Sequence, residues 1–198
     1  EQIIADSLRA VAGEGDRVLA VNAAPHVRTG VPALGIAAAS EVRDVAPRAE
    51  GEGYVLDNGV VHAVIDARGL LISRLELASG REVAPEGQAA GLFQLFRDTP
   101  IQWDAWDIDE TYRRHVTPLD SAAAVRIDGH AVVVERTFGD SRLVTRIALA
   151  ADSRTVRLSI DVDWHEQQKL LKLAVPVDVH TDRAASEIQF GHITRPTH

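Results

Sequence analysis

Arg142-Leu143-Val144-Thr145-Arg146-Ile147-Ala148-Leu149 and, after a short break, Thr155-Val156-Arg157-Leu158-Ser159-Ile160-Asp161-Val162-Asp163 are the stretches on which the fold turns. Apolar and polar residues alternate along both. Successive side chains of a strand point to opposite faces, so this period means one buried face and one wet face, as in antiparallel sheets. Working outward, Ala122 to Ile127, His130 to Phe138, Leu170 to Val179 and Ser186 to Phe190 read as further strands. Asp128-Gly129 and Gly139-Asp140 supply turns. Upstream, Tyr54-Val55-Leu56, Val60 to Ile65, Leu70 to Leu77 and Arg81-Glu82-Val83 are strands punctuated by Asn58-Gly59, Asp66 to Gly69 and Ser79-Gly80. Asn-Gly is a strong tight-turn signal. Turns at roughly 8–12-residue spacing with almost no helix predict a mainly β chain, an antiparallel β-sandwich. Pro176, inside an extended run, points to an edge or a bulge.

The one helix expected is short and N-terminal. Ile3, Ile4, Leu8 and Val11 fall on one face and Gly13 is placed to cap it. The reading gives three segments: 1–13 as a helix end, 14–50 as a small β segment with Val18 to Asn22 as its first strand, and 51–198 as the sandwich. The chain opens without Met and stops at His198 without a terminating signal, so it is expected to be a piece of something longer.

Composition narrows the functions. The 198 residues are 45% hydrophobic and 25% charged, with a net charge of -8. That balance suits a soluble globular protein and argues against nucleic acid or an anionic membrane surface as partner. There is no cysteine, hence no disulfide or thiolate chemistry, which favours a reducing, cytoplasmic setting. Eight histidines invite a metal, yet none of them is spaced His-x-x-x-His. Asp161, Asp163 and His180 are the one combination that strand pairing could unite; otherwise the histidines read as solvated. No Gly-x-Ser-x-Gly is present, and the glycines sit in turns rather than at helix starts, against phosphate binding.

The stretch richest in chemistry is Gln102-Trp103-Asp104-Ala105-Trp106-Asp107-Ile108-Asp109. Two of the three tryptophans are interleaved with three carboxylates. Flat aromatic faces stack on the C–H groups of a sugar ring, and carboxylates accept from its hydroxyls. The alternative is a loop whose tryptophans plug the core and whose aspartates face water. Arg195 and His198, near the other end, are natural donors to sugar hydroxyls or, more blandly, surface groups.

Those residues carry a resemblance. Leu92 to Pro100 with Gln102 to Asp109 is similar to glycoside hydrolase family 38 α-mannosidases of the bacterial and cytosolic branch. So are Asp163-Trp164-His165-Glu166, Lys169-Leu170-Leu171-Lys172, Pro176 to His180, Phe190-Gly191-His192 and Arg195-Pro196-Thr197-His198. Val18 to Arg28 resembles the family's lead-in strand less closely. The resemblance implies the first part of the large C-terminal β region, a sandwich of galactose-mutarotase-like supersandwich type. It implies a retaining hydrolase that releases terminal non-reducing α-mannose. The family's nucleophile and its divalent metal, of zinc or cobalt class, would lie in a separate catalytic domain; no position here matches them and no cofactor is expected in this fragment. The implied partners are a mannose-containing oligosaccharide and that missing domain. Trp103, Asp104, Trp106 and Asp107 are the expected wall of the sugar site, with Arg195 and His198 second. The other readings are a non-catalytic carbohydrate-binding sandwich, a structural scaffold, and a mutarotase-like epimerase.

Overall fold

A computed structural model describes residues 2–13, 15–16, 18–28, 30–39, 43–103 and 106–198. The chain divides into two units, Glu1–Val42 and Arg43–His198.

In the first unit, α1 (Gln2–Ala12) ends where Gly13 turns left-handed, at φ +72°, and donates its N–H to Arg9 O at 3.0 Å. Glycine takes that conformation without a Cβ penalty, which is why the helix stops there. Strand β1 (Leu19–Val21) then pairs antiparallel with β2 (Ile36–Ala38). Buried Asn22 closes the connection, its amide donating to His26 O and Pro32 O at 2.8 and 3.0 Å.

The second unit is built from antiparallel sheets. β3 (Arg48–Glu50), β4 (Gly53–Asp57), β5 (Val61–Ile65), β6 (Leu71–Glu76) and β7 (Arg81–Glu82) form a five-stranded meander. β8 (Leu92–Arg97) lies between β9 (Val116–Leu119) and a later strand, β14 (Lys169–Ala174). Between them in sequence, β10 (Ala124–Asp128), β11 (Ala131–Phe138), β12 (Ser141–Leu149) and β13 (Val156–Asp163) make a four-stranded sheet in that order. β15 (Arg183–Ile188) and β16 (Gly191–Pro196) form a separate hairpin, exposed throughout.

The expected antiparallel sandwich is what forms. Register sets Val132 opposite Ile147 and Val134 opposite Thr145, so one face of β11 and β12 points inward. It meets Leu56, Val61, Ala63 and Ile65 of the meander in the main core. Tyr54 contributes its ring to that core and donates its hydroxyl across the gap to Val125 O at 3.0 Å. A second cluster, Phe93, Phe138 and Leu143, joins the three-stranded sheet to the same four-stranded one.

Three details depart from the alternation reading. The inward side of β13 is covered only at its start: Ile160 and Val162 remain 39% and 43% exposed. The strand is an edge among the described residues, paired with β12 alone, so its far half has nothing over it. β14 stops at Ala174 rather than Val179, because Pro176 has no N–H to continue a ladder. The last hairpin is displaced from Ser186–Phe190 to Arg183–Ile188 and Gly191–Pro196, with Phe190 at its turn, φ +61°.

Candidate functional site

The tryptophan stretch lies on the connection between β8 and β9, which closes with a 3-10 helix, Glu110–Arg114. Its foot is clamped. Arg97 N donates to His115 O at 3.1 Å and Asp98 N to Gln168 O at 2.9 Å. Higher up, Ile101 N donates to an Asp109 carboxylate oxygen at 3.0 Å. Trp106 N and Asp107 N both donate to Trp103 O, at 2.7 and 3.0 Å. This tight turn holds Trp103 at φ +60°, a region that bulky L-residues rarely occupy.

The tryptophans do not plug the core. Trp103 is 71% and Trp106 90% exposed, beside Ile101 at 88%. Asp107 is also exposed; Asp104 lies outside the described residues. Both indoles are therefore presented to solvent, and in sequence the Asp107 carboxylate stands between the second of them and Ile108. Asp98, at the foot, has a buried carboxylate oxygen with no hydrogen-bond partner among the described residues.

Beneath the loop is a group that sequence reading passed over. Tyr112, on the 3-10 helix, packs edge-on against Phe96 of β8 with ring centroids 5.2 Å apart. Lys172 of β14 lies over both rings, its ammonium 4.2 Å from the Tyr112 centroid and 5.6 Å from that of Phe96, and donates to the Tyr112 hydroxyl. The Lys172 hydrogen bond, together with Arg113, holds the phenol below its ordinary pKa of 10.0. The available signal was scarcity: Lys172 is one of only two lysines in the chain, and it stands on the strand next to Phe96.

Arg195 and His198 are not joined to this loop by any hydrogen bond or ion pair among the described residues. Arg195 is exposed on β16 opposite Ala184, and His198 follows that strand, exposed. Asp161 and Asp163 do not meet His180: Asp163 instead bonds His165 at 2.9 Å, while His180 stands 3.8 Å from Asp178. Among the described residues no three His, Asp or Glu side chains converge on a point that would hold a metal ion. The side chains here thus do not fit the divalent metal implied for the larger enzyme.

One family match and three relatives bear on this arrangement. Residues 56–198 match the family described as "Glycosyl hydrolases family 38 C-terminal domain". Human alpha-mannosidase 2C1 is 38% identical over 157 residues, covering 75% of this chain and 15% of that protein. The mouse alpha-mannosidase 2C1 is 35% identical over 185 residues, 85% of this chain and 18% of its own length. An alpha-mannosidase of Saccharomyces cerevisiae is 30% identical over 154 residues, 71% and 14%. The chain therefore spans less than a fifth of each of these relatives. With the antiparallel sandwich, the family match over most of its length and the relatives in agreement, the chain belongs to glycoside hydrolase family 38, residues 56–198 matching its C-terminal domain.

Proposed function

We propose that this chain is part of a retaining α-mannosidase that releases terminal non-reducing α-mannose, and that it forms one wall of the sugar site. The observation that carries the reading is the pair of exposed indoles, Trp103 and Trp106, on a loop fastened to the sheet at both ends. Indole faces stack on sugar C–H groups, and Asp107, with Asp104, accepts hydroxyl hydrogens. Tyr112 and Lys172 hold the loop's base and offer donors beside it. Arg195 and His198 are secondary contacts from the last hairpin.

Bond cleavage belongs to another part of the intact enzyme, where a carboxylate nucleophile and a zinc- or cobalt-class metal reside. The partners of this region are a mannose-containing oligosaccharide and that catalytic part. Net charge of -8 speaks against nucleic acid and anionic membrane. The absence of cysteine favours the cytoplasm, and no helix among the described residues is long and apolar enough to cross a membrane.

On this reading the chain by itself releases no aryl group from an aryl α-mannoside. Turnover that rises in proportion to its concentration would overturn the assignment of the chemistry to another part. In the intact enzyme, Trp106→Ala should lower kcat/KM for the same substrate about tenfold or more, the scale of one lost stacking platform. A titration of the chain with α-mannobiose separates the runner-up. Millimolar or tighter binding, abolished by Trp106→Ala, would make this a free-standing carbohydrate-binding module.

A further inference from the structure

The outer face of the three-stranded sheet extends well past the tryptophan loop. Along β8, Phe93 and Leu95 turn into the core, leaving Leu92, Gln94 and Phe96 on the other side. Phe96 lies under Tyr112 and Lys172, at the loop end. Lys172 stands directly opposite Gln94 in the register, and Gln94 is already part of an open cleft of about 540 Å³ at the far end of the face. Its rim carries Arg68, Gln88 and Asp120; Leu92 and Ala174 give it an apolar floor.

The two sides of this cleft are tied together from behind. Arg136 is 1% exposed, yet its guanidinium makes no ion pair within 4 Å among the described residues. It donates instead to Arg68 O at 2.6 Å and to Leu119 O at 2.9 Å, the carbonyls beside the two polar rims. The cleft is therefore preformed, and its volume falls in the roughly 300–1,000 Å³ range of small-molecule sites.

Its chemistry selects a class of ligand. Two carboxamides each offer a donor and an acceptor, Asp120 accepts, and Arg68 donates while sharing charge with Asp66 at 2.8 Å. Neither the Gln88 nor the Gln94 side-chain amide has a hydrogen-bond partner among the described residues. A neutral, hydroxyl-rimmed ring with an apolar face satisfies such a lining. A phosphate would meet the Asp120 carboxylate, and a hydrocarbon would strand the amides. From Phe96 back to Leu92 the strand covers roughly 13 Å, more than one pyranose ring. We infer that this cleft is a second carbohydrate subsite, which takes further pyranose units of the oligosaccharide whose terminal mannose stands at the tryptophan loop. The inference rests on reading that loop as the mannose wall.

The test compares two substrates in the intact enzyme, α-mannotriose and 4-nitrophenyl α-mannoside. A Gln88→Ala/Gln94→Ala double variant should raise KM for the trisaccharide about tenfold, the scale of one or two lost hydrogen bonds, and leave kcat/KM for the aryl mannoside unchanged. Trp106→Ala should weaken both. A double variant that keeps the parent melting temperature and an unchanged trisaccharide KM overturns the subsite; so does an equal loss on both substrates. If Trp106→Ala instead affects neither substrate while the double variant still impairs the trisaccharide, the wall reading fails and the cleft stands as a sugar site of its own.

Discussion

Trp103 keeps a left-handed backbone at φ +60° and a mostly exposed indole, so it contributes neither relaxed geometry nor core packing. Such a residue costs of order 1–3 kcal/mol and persists where the surroundings impose it. Trp103→Gly should leave the melting temperature unchanged or raise it, while lowering turnover of an aryl α-mannoside by the intact enzyme. A fall in melting temperature of several degrees would instead give the indole a structural role. Gly69 shows the opposite sign. At φ +74° a Cβ would lie 2.5 Å from both methyl carbons of Val134, in the middle of the main core. Gly69→Ala should cost about 2–4 kcal/mol, the left-handed penalty added to overpacking, measured by urea unfolding. Glu82 sets a pH dependence. Burial pushes its carboxyl up, but the Ser73 hydroxyl and the N–H groups of Ala84, Arg74 and Val83 more than offset this and hold it below its ordinary 4.5. A carboxylate with a lowered folded-state pKa stabilises above the unfolded value and loses that contribution as pH falls through the folded one. Stability of the parent should therefore decline more steeply below about pH 4.5 than that of Glu82→Gln, which keeps the Oε1 acceptor without the charge.

Elements tell how far the sequence could be read. Asp57-Asn58-Gly59 announced a tight turn, and the turn is there: Asn58 Oδ1 accepts from Val60 N and Val61 N at 3.0 and 2.8 Å. What the dipeptide did not disclose is that the same amide donates to Ala150 O and Ser153 O, each at 2.7 Å, and so pins the meander to the β12–β13 connection. Asn58→Ala should cost about 2–3 kcal/mol, because it strands part-buried backbone groups in its own turn and in the β12–β13 connection; a loss under 0.5 kcal/mol would mean that water replaces the amide. Alternation located β12 to within a residue, because its inward side chains are covered by the core while those between them are not fully buried until the strand's end. It misjudged β13, whose pattern is as clean as that of β12, because a period reports which side is apolar and not whether anything covers it. The indole pair stood out in the sequence, whereas its exposure did not: a tryptophan beside an aspartate reads alike in a core plug and on an exposed loop. Tyr112 and Lys172 are 60 residues apart and meet only through strand pairing, which no local window displays.

At the scale of the molecule, Arg43–His198 contains both hydrophobic clusters and every strand of the sandwich. A chain starting at Arg43 should keep the far-UV signature of β structure and unfold cooperatively in urea; a noncooperative transition would show that residues 1–42 are needed for folding. Arg136 bears on how such a molecule changes over time. Because one guanidinium behind the sheet braces both banks of the cleft, the spacing of those banks answers to the interior and not to the surface loops that form them. Rim residues are then free to vary and retune which hydroxyl pattern is preferred, whereas replacing Arg136 with a shorter cation would slacken both banks at once, and ligand discrimination would be lost before the protein unfolds.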